Sequence, residues 1–561
     1  MDSNSAYDLK SVKLPYLSGA GLKLFVSALE GPLGGALIPN LLQSAGVAEF
    51  RKKHFDEAPT NLPIHFTGAL ATEAASVPGE EWPREFKHGP GFKFASAGDY
   101  AAAYRNGSAT PEEVAKRVLE AIESSNTANP PLRAMVNVKA EEVLRMAREA
   151  TQRYKEGRAL GPLDGVPVAV KEELDMTPYP TTVGTAFLGK SPAAEDATVV
   201  ARVRAAGALL IGKANMHEIG IGVTGLNAHH GTTRNPYNPA HYTGGSSSGP
   251  ATAVAAGLCP IAIGADGGGS IRIPSAFCGV VGIKPTFGRV SEFGAAPLCW
   301  SVAHVGPIAA SVSDLALGYA AMAGPDPREA NSLHQPLPTL RGWDNAEIKG
   351  LRIGVFWPWF RHASAEVVEA CESLLKRFEG LGADLREIVI PDLEAARVAH
   401  VITIAGEMAQ AMDTYHAEHH KQHGLDVRTN LTLARTFNGM DYVRAQRVRT
   451  RLMNHFQRAF ESVDVIVTPS TGVAAPLIPP AALPAGDSDL TTLTEIMRFV
   501  TPANLTGLPA ISFPAGYTPG GLPVGMQAIA RAWDEATLFR LALAAEGLVE
   551  RQEPRVWYRL M

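Results

Sequence analysis

Two glycine–serine turns stand close together in the middle of the chain, Gly244-Gly245-Ser246-Ser247-Ser248-Gly249 and Gly267-Gly268-Gly269-Ser270. Between them lie a small-residue run of helical character and a short apolar run. Glycines beside serines let backbone approach a ligand closely and let consecutive N–H groups point into one cavity. A hydroxyl placed beside such donors is the layout acyl transfer needs, a nucleophile with a cradle for the oxyanion it creates. A single loop of this kind reads as a phosphate grip or a structural turn. Two in tandem within the apolar stretch from Thr243 to Ser291 favour the catalytic reading.

This stretch resembles the signature of the amidase signature family, serine hydrolases with a Ser–cis-Ser–Lys triad. The resemblance carries over residue by residue. Ser270, closing Asp266-Gly267-Gly268-Gly269-Ser270, matches the nucleophile. Ser246 matches the bridging serine, with a cis Gly245–Ser246 bond implied. Lys171, ending the apolar run Gly165-Val166-Pro167-Val168-Ala169-Val170, matches the base. The backbone N–H groups of Gly267, Gly268, Gly269 and Ser270 are expected to form the oxyanion hole. Asp266 and Arg272 flank the nucleophile as a charged pair that could pin that loop, with Ser247 as a further support. Asn215, Met216 and Gly245 are expected near the substrate. Ser248-Gly249-Pro250 departs from the Gly-Gly-Ser that many members carry, and Ala303 stands where an acid or glycine is common.

Lys171 carries the largest demand. A lysine at a strand end is usually a solvated cap, whereas a base must be desolvated enough to lose its proton. The apolar run before it is compatible with burial. Glu172, Glu173 and Asp175 oppose neutrality, and are expected to point elsewhere as an alternating strand end permits.

Composition bounds the rest. The chain has 561 residues, 46% apolar and 19% charged, with a net charge of −5. That is the profile of a globular protein with a large core, and it argues against nucleic acid as a partner. Four cysteines without a CxxC pair read as buried hydrophobes in a reducing compartment. His217-Glu218 and His229-His230 invite a metal reading, but no HExxH or comparable ligand set completes it. No metal or cofactor is expected. No secretory signal is visible, and no apolar run approaches the ~20 residues that cross a bilayer. The expected location is cytoplasmic, at most on a membrane face.

The elements that must position these residues follow an alternating pattern. Thr110-Pro111-Glu112-Glu113 is a capped helix start, and a second helix spans roughly Ala140 to Tyr154. Strands are expected at Val166–Lys171, Ala208–Ile211, Leu351–Phe356, Val463–Pro469, Leu508–Pro514 and Val524–Ala530. Gly306 to Gly324 reads as a helix, residues 392–460 as mostly helical, and Ala536 to Val549 as the last helix. Alternating strands and helices indicate α/β. The family resemblance implies a large twisted mixed β-sheet covered by helices on both faces, with an N-terminal helical cap.

Residues 1–95 form the expected cap and linker, and 96–561 the catalytic domain. Gly21–Glu30 and Leu33–Ala45 could each be a short amphipathic helix, the second broken early by Gly34-Gly35 and by Pro39. They read as a helical hairpin packed on the core, as a lid over a greasy channel that also touches a membrane, or as both. Residues 56–92 read as a linker strapped over the surface.

A narrower resemblance, to the plant-type fatty acid amide hydrolases within the family, rests on Leu14-Pro15-Tyr16-Leu17-Ser18-Gly19, on Asp464–Pro480 and on Met497–Asn504. It implies N-acylethanolamine-like amides as substrates, membrane contact through residues 14–46, and a homodimer. Alternatives within the same chemistry are aryl amides, carbamates and lactams with a short acyl pocket. A subunit of a tRNA-dependent amidotransferase and a non-catalytic scaffold are further alternatives, the first disfavoured by the long N-terminal segment, the second by the intact Lys171, Ser246 and Ser270.

Overall fold

The computed structural model describes residues 6–65, 89–333 and 335–561. Eleven of its strands join in one sheet. In chain order they are β1 (Met135–Asn137), β2 (Pro167–Lys171), β3 (Leu209–Ala214), β4 (Ile261–Ala265), β5 (Val281–Lys284) and β6 (Val305–Ala309), then β7 (Arg352–Val355), β8 (Asp384–Glu387), β9 (Val465–Pro469), β10 (Ala510–Tyr517) and β11 (Pro523–Ala530). Across the sheet they run β1-β3-β2-β4-β6-β5-β10-β11-β9-β7-β8. β2 lies parallel to both β3 and β4, and β7 parallel to both β8 and β9. The other pairs are antiparallel.

β2, β4, β6 and β9 are buried along their whole length. Strands covered on both faces read as continuous apolar runs instead of alternating ones. The same property corrects the expectation of one helix from Gly306 to Gly324. Val305–Ala309 is a strand, and the helix spans only Val312–Met322, behind a Ser311 cap. A five-residue apolar run has no period that distinguishes strand from helix. β1 and β8 also escape the sequence reading. β1 is three residues long and β8 is mostly exposed.

Helices pack on the sheet. Those that matter for the site are α1 (Gly19–Glu30), α2 (Gly34–Ser44), α3 (Pro111–Thr127), α4 (Ala140–Lys155), α5 (Ser248–Ala255), α6 (Arg272–Phe277), α7 (Leu393–Ala411), α8 (Leu425–Ala434), α9 (Gly439–Phe460) and α10 (Leu490–Met497). α3 starts as its sequence requires. The Thr110 hydroxyl accepts from the Glu113 N–H, the Glu113 carboxylate accepts from the Thr110 N–H, and Pro111 opens the first turn.

α1 and α2 pack on each other and on α8. α1 buries Leu22, Val26 and Leu29 and leaves Leu24 73% exposed. Arg428 on α8 grips the Glu30 carboxylate at the end of α1. Leu17–Ser18 pairs antiparallel with Asp487–Ser488, a second, two-stranded sheet. The Leu14 N–H donates to Thr491 Oγ1 at 3.0 Å. Pro39 does not break α2, which runs on to Ser44. Proline there forgoes one i→i−4 bond, toward Gly35. Of the expected linker, residues 56–65 and 89–92 are described; the first part follows α9, with Thr60 N–H on Gln446 O at 3.2 Å, and the last meets the C-terminal segment, with Phe92 N–H on Arg551 O at 2.7 Å. Residues 66–88 lie outside the described residues. Among the described residues no single helix is long and apolar enough to cross a membrane; α1 and α2 together have the composition but are bent by 108°.

Candidate active site

β2 ends on Lys171 between β3 and β4, so the lysine enters the interior with only 1% of its surface exposed. Its Nζ donates to Ser246 Oγ at 2.8 Å and to Ala265 O at 3.2 Å. Ser246 sits in the first glycine–serine turn, just before α5, and its peptide bond to Gly245 is cis. A side chain on Gly245 would lie 2.9 Å from Gly225 N, so this backbone tolerates glycine only. The Ser246 carbonyl accepts from the His217 N–H at 3.1 Å.

Ser247 joins the two turns. Its Oγ donates to Ala265 O at 3.0 Å, and its N–H donates to the Ser270 carbonyl at 3.1 Å. The second turn leaves the end of β4 and enters α6, and this places Ser270 beside Ser246 and Lys171 on one small chamber.

Asp266 and Arg272 form the expected pair, and both are fully buried. Arg272 Nη2 lies 3.0 Å from Asp266 Oδ1 and Nε lies 3.0 Å from Oδ2. Asn504 Nδ2 adds a bond to Asp266 Oδ1 at 2.9 Å, and the guanidinium also reaches Val500 O, Gln527 and Asn504. Burial opposes the Asp266 charge. Arg272, Asn504 and the Gly269 N–H outweigh it and hold the carboxyl well below the usual carboxylate range.

That last bond corrects the expected oxyanion cradle. Gly269 N–H donates to Asp266 Oδ1 at 2.7 Å, and Ile271 N–H to Oδ2 at 3.0 Å. The Gly269 donor is therefore committed within the loop. Among the described residues the N–H groups of Gly267, Gly268 and Ser270 have no protein acceptor.

Glu173 is a second correction. Glu172 turns away as expected, accepting from Thr182 N–H and its hydroxyl at 3.0 and 2.6 Å and lying 3.9 Å from Lys213. Asp175 accepts from Thr181 Oγ1 at 2.7 Å. Glu173, however, lies 3.3 Å from Lys171 Nζ and is itself buried. The strand stops at Lys171, and a turn closed by the Leu174 N–H on the Lys171 carbonyl at 3.1 Å brings Glu173 back beside the lysine.

Asn215 and Met216 do not line the site. The Asn215 amide donates to Arg133 O and Gly231 O at 3.0 and 2.8 Å, and its oxygen accepts from Met216 N–H. Both residues are completely buried in wall structure. His217, Glu218 and His229 join the neighbouring loops. Glu218 accepts from Gly424 N–H at 2.9 Å and meets His423 and His229 at 2.6 and 3.2 Å, while His217 meets Asp426 at 2.9 Å. This holds the Glu218–Gly220 turn against the serine: a side chain on Gly220 would sit 3.5 Å from Ser246 Oγ.

Two cavities meet at Ser270. One is a chamber of about 30 Å³ bounded by Lys171, Glu173, Ser246, Glu292 and Cys299. Burial, reinforced by Glu329, Glu173 and Glu407, pushes the Glu292 carboxyl well up. The other is an apolar channel of about 370 Å³. Its walls come from the N-terminal segment and α1 (Leu14, Phe25), α7 (Ile404), α8 (Leu433) and α10 (Met497), and it reaches Gly268 and Ser270. Sequence reasoning missed Glu173, Glu292, Asn504 and His400, a buried α7 residue whose Nε2 lies 2.8 Å from Gly267 O. Of these only Glu173 had a signal, its spacing from Lys171.

The family model described as Amidase matches residues 116–539. The chain is 40% identical to a fatty acid amide hydrolase of Arabidopsis thaliana, over all of this chain and 97% of that one. It is 39% identical to a fatty acid amide hydrolase of Medicago truncatula, with the same coverage. Among solved structures, the peptide amidase of Stenotrophomonas maltophilia superposes with a TM-score of 0.71 at 28% identity, covering 82% of this chain and 98% of that one. The molecule is an enzyme that hydrolyses amide carbon–nitrogen bonds, built as a mixed sheet flanked by helices. The chain belongs to the amidase signature family and is close in sequence to the plant fatty acid amide hydrolases.

Proposed function

We propose that this enzyme hydrolyses lipophilic N-acyl amides, of the N-acylethanolamine kind, through an acyl-enzyme on Ser270. The observation that carries this reading is the apolar channel that ends at Ser270 under α1 and the N-terminal segment. Burying an acyl chain there contributes about 0.8 kcal/mol per CH₂.

In this reading neutral Lys171 takes a proton from Ser246, and Ser246 takes one from Ser270 as its oxygen attacks the carbonyl. The lysine becomes an ammonium with the Glu173 carboxylate 3.3 Å away, a placement that favours the charge just formed. The free N–H groups of Gly267, Gly268 and Ser270 hold the oxyanion, each worth about 3 kcal/mol by analogy with other such donors. As the intermediate collapses, Ser246 protonates the leaving amine and is reprotonated by Lys171. Water then repeats the cycle on the ester and releases the acid.

The test is kcat/KM across an N-acyl series from acetyl to palmitoyl on one amine. A steady rise with chain length supports the channel reading. A flat or falling series moves the assignment to short aryl amides or carbamates on the same serines. The exposed Leu24 on α1 and Leu33 in the turn before α2 support peripheral membrane contact through residues 14–46, which vesicle co-sedimentation tests. A homodimer is part of the same reading, tested by light scattering.

A further inference from the structure

The Gly267–Gly268 peptide is held from outside the turn. His400, on α7, lies with Nε2 2.8 Å from the Gly267 carbonyl. A carbonyl oxygen can only accept, so the proton sits on Nε2 and the ring is the donor. The ring is completely buried. Burial, ahead of every other influence, pushes its pKa down to about 4, with Arg449 and Arg272 acting in the same direction and Asp266 and the Gly267 bond against it. The histidine therefore donates as a neutral imidazole at working pH. Its Nδ1 has no partner among the described residues.

Peptide geometry converts this bond into an orientation. The peptide bond from Gly267 to Gly268 is trans and planar, so the Gly267 C=O and the Gly268 N–H point in opposite directions. Pinning the carbonyl on His400 aims the Gly268 N–H the other way. The packing leaves little play. A Cβ on Gly268 would lie 2.8 Å from His400 Cε1, and one on Gly267 would lie 2.8 Å from Cys299 Sγ and 3.3 Å from Ile404 Cδ1. Gly268 N–H is one of the three donors that the loop leaves free, and Gly268 lines the channel beside Ser270.

We propose that His400 is a positioning residue for the reaction, fixing the Gly267–Gly268 peptide so that the Gly268 N–H meets the oxyanion. This rests on the reading of the Gly267–Ser270 turn as the oxyanion cradle. Unlike Asp266, which fixes the turn from its own loop, His400 fixes it from the helix that also forms a channel wall. The channel and the cradle thus share one support.

The experiment compares His400→Phe with His400→Gln, whose side-chain amide reaches to where Nε2 stood and can donate to Gly267 O. Active sites are titrated with a fluorophosphonate, kcat and KM are measured on one long-chain amide, and inhibition is measured with a trifluoromethyl ketone that mimics the tetrahedral intermediate. Removing an oxyanion donor costs about 10²–10³ in kcat. His400→Phe is expected to lose kcat per titrated site on that scale, with KM within about threefold and ketone affinity falling in parallel with kcat/KM. His400→Gln is expected to recover most of that loss. The proposal is overturned if His400→Phe keeps kcat per titrated site within about threefold of the parent. It is also overturned if KM rises while ketone affinity falls no more than substrate affinity, or if His400→Gln is no better than His400→Phe. A parent enzyme that cleaves no amide and takes no label would instead remove the reading of the cradle itself.

Discussion

Glu173 Oε1 lies 3.3 Å from Lys171 Nζ, and the two side chains are buried together at the end of β2. Of the lysine's three polar neighbours, the Ala265 carbonyl anchors it at 3.2 Å, and the other two are a serine oxygen at 2.8 Å and this carboxylate. A carboxylate at that distance favours the charged form of the amine, the form the lysine takes when it accepts a proton. Glu173→Gln keeps the volume and removes the charge. The expected outcome is a fall in kcat of about 10–100-fold, ~1.4–2.7 kcal/mol in the barrier, with the protein folded and Ser270 still open to labelling. Steady-state kinetics beside a thermal melt checks both parts, and unchanged kcat would show that the carboxylate has no part in the reaction.

Ser270→Ala is expected to abolish both turnover and labelling by a fluorophosphonate. Ser246→Ala and Lys171→Ala are expected to leave the protein folded and to cut the rate by several orders of magnitude, because each interrupts the same proton path. Normal turnover in the Ser270 variant would overturn the acyl-enzyme.

Asp266 and Arg272 are a buried pair with every partner satisfied, so removing one member strands the other. Arg272→Met is expected to destabilise the fold by about 3–5 kcal/mol, read from denaturant midpoints. The same variant should lose activity, because Asp266 also holds the Gly269 and Ile271 N–H groups. Exchanging both residues for apolar ones of similar volume should restore part of the stability and none of the activity.

Asp487 gives a pH dependence of definite sign. Burial first, then Asp426 and Asp489, push its carboxyl up to about 6, against the Tyr242 hydrogen bond and His217. The folded state therefore holds this proton more tightly than the unfolded one. Stability from this group is complete below about pH 4, the unfolded value, and is lost as pH rises through about 6. The difference is at most about 3 kcal/mol. Asp487→Asn should match the parent near pH 4 and exceed its stability near pH 7.5, measured by chemical denaturation. A variant no more stable than the parent at the higher pH would contradict the assignment.

Leu433 faces the channel from α8. Leu433→Trp should narrow it, cutting kcat/KM for a palmitoyl amide by tenfold or so, since a few lost methylene contacts at about 0.8 kcal/mol each suffice. The acetyl amide should be hydrolysed as before, because Lys171, Ser246 and Ser270 lie beyond that wall. Equal losses for both substrates would mean a distorted site and no chain-length filter.

The local chemistry of the site was legible because it is written contiguously. Both glycine–serine turns, the Asp266–Arg272 pair and the buried strand before Lys171 are short-range patterns; the second turn departs from expectation at Gly269, whose N–H serves Asp266. Glu173 was misread for a specific reason: strand alternation was invoked to turn all three acids away, yet the strand ends at Lys171 and a turn returns Glu173 to the lysine. Asn215 was misplaced because a buried amide serves backbone carbonyls as readily as a substrate, and nothing in its neighbours tells which. His400 could not be found at all. It is one residue of a long helix, 133 positions from the carbonyl it holds, and only packing brings the two together. β6 was lost because burial on both faces erases periodicity.

The ribbon between Leu17–Ser18 and Asp487–Ser488 fixes an order of assembly. Lys171, Ser246 and Ser270 all precede β5 in the chain, so the reactive groups leave the ribosome early. The channel does not exist until the segment around Thr491 arrives, 477 residues after the Leu14 it bonds. Contacts of such long sequence separation form late and slowly. A nascent chain therefore carries Lys171, Ser246 and Ser270 before the residues that brace their loop, His400, Asn504 and Gln527, and before the channel walls are complete.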